Sequence, residues 1–196
     1  MVNRTRNTAL LGTALLIAAC TAATPPTPAA SSAPSAPLAP ESQAVGQARA
    51  ETVEGNFRLA INAGRATYQA GEPIEMEAAL TYGGPEPEVR VWGSGSGVVH
   101  FAIEQVNGPL AMGPAATDDC VPHQMLRGQP KTVPFTKSGG FSADDPDADF
   151  WRDFFSDPQL RLPAGQWRVI AKASFLGPDC SLPETALDAG VTITVQ

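Results

Sequence analysis

Over residues 74–82 the side chains alternate without a break: Ile74, Met76, Ala78, Leu80 and Tyr82 on one parity, Glu75, Glu77, Ala79 and Thr81 on the other. A period of two makes one face of an extended strand apolar and leaves the other to solvent. A helix needs its apolar positions every three or four residues, so this pattern does not suit one. The same parity runs through Phe57, Leu59 and Ile61 against Arg58, Ala60 and Asn62, and returns in Trp167, Val169, Ala171, Ala173 and Phe175. Turn formers stand between such runs: Ala70-Gly71-Glu72-Pro73, Gly83-Gly84-Pro85, Gly93-Ser94-Gly95-Ser96-Gly97 and Asn107-Gly108. The last pair suits the positive φ of a tight reversal, and the glycine-serine run reads as a flexible connection. Further strands are expected at residues 89–92, 98–106, 123–127, 131–136, 166–176 and 190–195. Short strands, turns rich in Gly and Pro and no repeated long helix predict an all-β fold, two antiparallel sheets packed as a sandwich.

One segment departs from this pattern. Phe150, Trp151, Phe154 and Phe155 fall at i, i+1, i+4 and i+5, which puts all four aromatics on one side of a short helix over residues 147–156. Asp147 is placed to cap it, Asp149 lies in its first turn, and Asp157-Pro158 ends it. The helix is expected to close one open end of the β structure. Residues 21–50, dominated by Ala, Pro, Ser and Thr and without an aromatic, cannot build a core and read as a semi-stiff tether. The organisation expected is a leader over residues 1–19, a tether over 20–51 and one β domain over 52–196. Tyr68-Gln69-Ala70-Gly71-Glu72-Pro73-Ile74 and Leu162-Pro163-Ala164-Gly165-Gln166-Trp167 resemble the strings that lead into early and late strands of bacterial immunoglobulin-like domains. The resemblance implies an immunoglobulin-like sandwich over residues 52–196 and no specific activity.

At the N-terminus Arg4 and Arg6 precede an apolar run from Ala9 to Ile17 that meets Ala18-Ala19-Cys20. A charged segment, a short apolar segment and small residues describe a secretory signal, and the run is too short to span a bilayer. Leu16-Ile17-Ala18-Ala19-Cys20 resembles the lipobox of bacterial lipoproteins. That resemblance implies cleavage before Cys20, acylation of Cys20 by chains such as palmitate, and anchorage to a membrane outside the cytoplasm. Thr21, where an Asp would retain the protein, implies the outer membrane in a cell that has one.

Removal of residues 1–19 takes Arg4 and Arg6 away and leaves 11 basic against 20 acidic side chains, a formal net charge of −9. Nucleic-acid binding needs clustered Lys and Arg, which this chain lacks. The same charge leaves membrane attachment to the acyl chains rather than to a basic surface. With Cys20 assigned to lipid, Cys120 and Cys180 remain as one pair, expected to form a disulfide in an oxidising compartment.

Cys120-Val121-Pro122-His123-Gln124-Met125 resembles the ligand loop of small blue-copper proteins, in which Cys, His and an axial Met share one loop and a second His, here His100, comes from an earlier strand. The spacing between His and Met is shorter than in that family, and a disulfide excludes a copper thiolate, which leaves a looser copper site at His123 and Met125. Asp145, Asp147 and Asp149 reproduce the first three ligand positions of a helix-loop-helix calcium loop, but Phe150 stands where Gly should turn the chain and Ser156 where Glu should close the site. Hydrolase signatures are incomplete: Gly95 occupies the centre of the only G-x-x-x-G run resembling a nucleophile elbow, and Lys137-Ser138-Gly139 has no Lys preceded by Ser at three residues to complete it. The expectation is a domain without cofactor or metal that binds an envelope protein or glycan or serves a structural role, with copper at His123 and Met125 or calcium at the three aspartates as the alternative. Trp151 and Trp167 read as core, whereas Trp92 shares a strand face with Arg90 and is the aromatic best placed to meet a ligand.

Overall fold

A computed structural model describes residues 46–196. The chain forms β1 Ala48–Glu54, β2 Phe57–Ala63, β3 Thr67–Tyr68, β4 Met76–Tyr82, β5 Glu88–Gly93, β6 Val99–Gln105, β7 Ala111–Met112, β8 Val121–Leu126, β9 Pro130–Pro134, α1 Ala148–Ser156, β10 Gly165–Phe175 and β11 Thr185–Val195. One sheet has the order β1-β2-β4-β9, a second β3-β11-β10-β6-β7, and β5 with β8 makes a separate ribbon. Every pairing is antiparallel except the short β3 with β11. The all-β expectation holds, with α1 as the α-helix among the described residues.

The alternation read from sequence is the burial pattern. β4 buries Met76, Ala78, Leu80 and Tyr82, while β10 buries Trp167, Val169, Ala171, Ala173 and Phe175. The two larger sheets share one core, and aromatic pairs cross it: Phe57 of β2 meets Phe175 of β10 at 4.7 Å between ring centres, and Phe101 of β6 meets Phe135 at 5.0 Å. Fully burying each large apolar side chain contributes about 1.5–3 kcal/mol. Among the described residues no polar or charged side chain is buried with them.

Register defines two ends. Phe57 opposes Tyr82 and lies against Phe175 at one end, and Ala63 opposes Met76 at the other, where Trp167 opposes Gln105. The free edge at β9 is blunted by its prolines. The Phe135 N–H donates to the Met76 carbonyl, so odd positions face β4 and Pro130, Thr132 and Pro134 turn outward, where Thr132 alone carries an N–H.

Several boundaries differ from expectation. β1 starts at Ala48, inside the segment assigned to the tether, and pairs Ala48 with Ala63. β3 and β7, of two residues each, were not foreseen, and β11 begins at Thr185 rather than Gly190. The helix lies where its aromatics place it, with Trp151 and Phe154 buried and Phe150 stacked at 6.5 Å on Trp167. Asp147 does not cap it through its side chain; instead the Asp147 N–H donates to the Asp145 carboxylate at 2.8 Å. The other end of α1 is closed by Lys137, whose ammonium donates to the carbonyls of Phe154 and Asp157 and sits 4.0 Å over the Phe154 ring. Desolvation holds the Lys137 pKa below the usual lysine value, partly offset by Asp157.

Candidate functional site: the disulfide-clamped loops

Three connections meet at the end opposite α1: residues 93–97 between β5 and β6, residues 113–120 between β7 and β8, and residues 176–184 between β10 and β11. Cys120 and Cys180 are joined, with their Cα atoms 6.4 Å apart, within the span a disulfide bridges. Trp92 and Leu176 exchange backbone hydrogen bonds of 3.1 and 2.7 Å, which attaches the β5–β8 ribbon to the end of β10. Asp179 and Cys180 both hold positive φ, 54° and 62°, a conformation uncommon for two consecutive residues with side chains.

The glycine-serine run, expected to be a flexible connection, is instead pinned by hydroxyl groups. Ser94 Oγ lies 2.7 Å from Ser96 Oγ and 2.8 Å from Thr117 Oγ1, and the Thr117 N–H donates to Ser94 Oγ at 3.0 Å. The Gly95 N–H donates to Asp119 Oδ1 at 2.8 Å, and a Cβ at Gly95 would overlap that carboxylate. The Thr117 hydroxyl donates to the same oxygen. These contacts, the Thr117 hydroxyl first and the Gly95 N–H next, hold Asp119 below the usual carboxylate range, and His123 adds to the effect.

His123 Nε2 lies 2.9 Å from the Ser94 carbonyl and His100 Nε2 lies 2.9 Å from the Gly97 carbonyl. Carbonyl oxygens only accept, so both rings donate into the same loop. His123 thus meets the backbone of Ser94, and no hydrogen bond joins its ring to the Ser94 hydroxyl as an activated nucleophile requires.

The metal readings find no coordination sphere. The copper-thiolate reading is corrected by the bond between Cys120 and Cys180, which leaves no thiolate. In the looser copper reading, His123 Nε2 is engaged by Ser94, and Met125 is packed into the core at 3 % exposure. In the calcium reading, Asp145 accepts the Asp147 N–H, and Asp149 pairs with Arg152. Among the described residues no three His, Cys, Asp or Glu converge as metal ligands would. Trp92 is half-buried opposite Pro122, fixed by its bonds to Leu176 rather than standing free. The most exposed large apolar side chain of this end is Leu182, 80 % accessible, on the loop that carries Cys180.

Cys20 lies outside the described residues. Among the described residues no helix is long and apolar enough to cross a membrane. No protein-family model and no curated protein matches the chain.

Proposed function

We propose that the chain is an extracytoplasmic lipoprotein, anchored through acylated Cys20, whose immunoglobulin-like β-sandwich domain is a non-enzymatic binding or structural module of the cell envelope. The Cys120–Cys180 bridge carries this reading. Disulfides persist where thiols are not kept reduced, outside the cytoplasm, and the leader that ends at Cys20 has the form that would take the chain there. Two antiparallel sheets around one core support the immunoglobulin-like class.

The clamped loops are the surface offered to a partner. They are fixed by covalent and polar contacts before any partner arrives, which reduces the ordering entropy that binding costs. They also lie at the end opposite Ala48, the first residue of β1. Leu182 supplies an apolar contact there.

The test is acylation and fractionation of the full chain in a bacterial host fed labelled palmitate. Label and membrane association are expected with Cys20 and absent in Cys20→Ala, and thiol alkylation should modify Cys120 and Cys180 only after reduction. Unprocessed chain in the cytosol, without fatty acid and with both thiols free, overturns the proposal.

A further inference from the structure

The Cys120–Cys180 bridge lies on the surface rather than through the core. Cys120 is exposed and Cys180 half-buried, and residues 113–120 are exposed throughout. The connection at residues 176–184 has no buried residue either. Among the described residues no hydrogen bond joins residues 177–184 to residues 113–120, so the disulfide is what ties the two connections together. Opening it would therefore uncover no apolar side chain of either connection. The loop-closure entropy that such a bond removes belongs to the unfolded chain, and it does not resist opening while the sheets stay folded.

The closed form also holds backbone strain. Asp179 and Cys180 stand consecutively at φ 54° and 62°, where a Cβ crowds the following carbonyl, and such residues persist only where the surroundings enforce them. The bonds from the Gly177 N–H to the Ser181 carbonyl, 2.9 Å, and from the Ser181 N–H to the Pro178 carbonyl, 3.1 Å, stay within the turn, and the disulfide is its outward tie. Exposed and strained disulfides are the readily reduced ones. The bridge also sets a polar register: Asp119, beside Cys120, accepts from the Gly95 N–H and the Thr117 hydroxyl. Asp118, Asp119 and Asp179 neighbour the two cysteines in sequence, and His123, the nearest group able to carry positive charge, is turned to Ser94. Three carboxylates repel an acidic small thiol and leave the bridge to a neutral or basic dithiol.

We propose that Cys120–Cys180 is a reducible clasp: a dithiol protein of the same compartment opens it, releasing residues 93–97, 113–120 and 176–184 while both sheets stay folded. A thiolate of the dithiol attacks Cys120 Sγ, on the exposed cysteine, and the sulfur–sulfur bond breaks with its electron pair on Cys180 Sγ, which takes up a proton. The second thiol, losing its proton, then displaces Cys120 Sγ, which is protonated in turn. The dithiol ends as a disulfide, the two cysteines end as thiols, and two electrons have passed between them. The fixed surface of the clamped loops is then a property of the oxidised chain. That consequence rests on those loops being the partner surface; the opening itself does not.

The experiment equilibrates the oxidised full chain, in detergent micelles and without denaturant, with mixtures of reduced and oxidised dithiothreitol, a neutral dithiol, then quenches with acid and counts alkylated thiols by mass. Asp179→Gly accepts positive φ without penalty. It should need about threefold more reduced over oxidised dithiothreitol for half-reduction, the left-handed penalty less the extra freedom of glycine in the open loop. Asp179→Ala removes the same charge, keeps the penalty and should titrate with the parent. In the reduced chain the amides of Gly95 and Thr117 should exchange faster, while those of β4 and β10 stay protected. Coincident titration of Asp179→Gly with the parent, an equal shift in Asp179→Ala, or loss of protection in β4 and β10 on reduction overturns the proposal. So does a bridge that dithiothreitol opens only in denaturant. Each of these outcomes leaves acylation of Cys20 and export untouched, so the clasp fails apart from the anchored module.

Discussion

At the end of the sheets that holds Gly93 and Phe175, the connections are short of apolar side chains and are fixed by the Cys120–Cys180 bond and by hydroxyl, carboxylate and imidazole contacts to backbone. At the end that holds Met76 and Trp167, a helix of nine residues is fixed by packing, with Trp151 at 5.6 Å and Phe155 at 5.4 Å from the Phe154 ring and Phe150 over Trp167. Residues 93–97 have only glycine and serine and cannot bury enough surface to order themselves. Order there has to come from a covalent bond and from polar partners. The aromatic helix has the opposite composition and needs only Lys137 to satisfy carbonyls at its C-terminus. The two ends should therefore fail under different perturbations.

The largest effect is expected at the packed end. Trp167 is 0 % exposed and its indole N–H donates to the Pro163 carbonyl at 2.9 Å. Trp167→Ala leaves a cavity beneath α1 and a carbonyl without its donor, and should cost about 5 kcal/mol in urea unfolding, equally with and without reductant. A loss below about 1 kcal/mol would show that α1 is not seated on that ring. Next comes the clamped end: the disulfide closes a loop with a sequence separation of 60, worth about 4 kcal/mol in the chain-entropy account. Cys120→Ser with Cys180→Ser should lower stability by that order. It should also raise amide exchange in residues 93–97 and 113–120 while leaving α1 protected. If exchange rises equally in α1, the contrast between the ends is wrong.

What could be read in the sequence follows the same divide. β2, β4 and β10 were legible because bulky side chains alternate over whole strands. β1 was not, because Ala48 and Ala50 are too small to mark a face next to a Pro- and Ala-rich stretch; the partner across at Ala63 and Ile61 makes the strand. The two-residue β3 and β7 exist only through β11 and β6. The helix was marked by four aromatics, and Asp147 does stand at its N-cap, but its side chain makes no capping hydrogen bond and its own N–H is taken by Asp145. The pairing of Cys120 with Cys180 followed from counting sulfurs. The polar cluster around Ser94 did not, since its partners Thr117 and Asp119 lie 23 and 24 residues away and local pattern carries no trace of them.

The smallest effect separates the ends by pH. At the clamped end Asp119 is held below the usual carboxylate range by the Thr117 hydroxyl and the Gly95 N–H; at the packed end Asp157 is held low by the Gln159 N–H and by Arg161. A carboxylate with a lowered folded pKa binds its proton more weakly in the folded than in the unfolded chain. Its contribution is complete above the ordinary carboxylate value and is lost as pH falls through the lowered one. Asp119→Asn and Asp157→Asn should each be less stable than the parent at neutral pH and converge with it in strong acid, as followed by thermal unfolding across the acid range. The disulfide then distinguishes the two. Gly95, Thr117 and Asp119 are held in register by the chain that ends at Cys120, whereas Asp157, Gln159 and Arg161 lie within one short segment. Removing both cysteines should therefore shrink the effect of Asp119→Asn and leave that of Asp157→Asn intact, a coupling that a double-mutant cycle reads directly. Equal behaviour of the two aspartates in the cysteine-free background would mean that the polar cluster orders residues 93–97 without the covalent clamp.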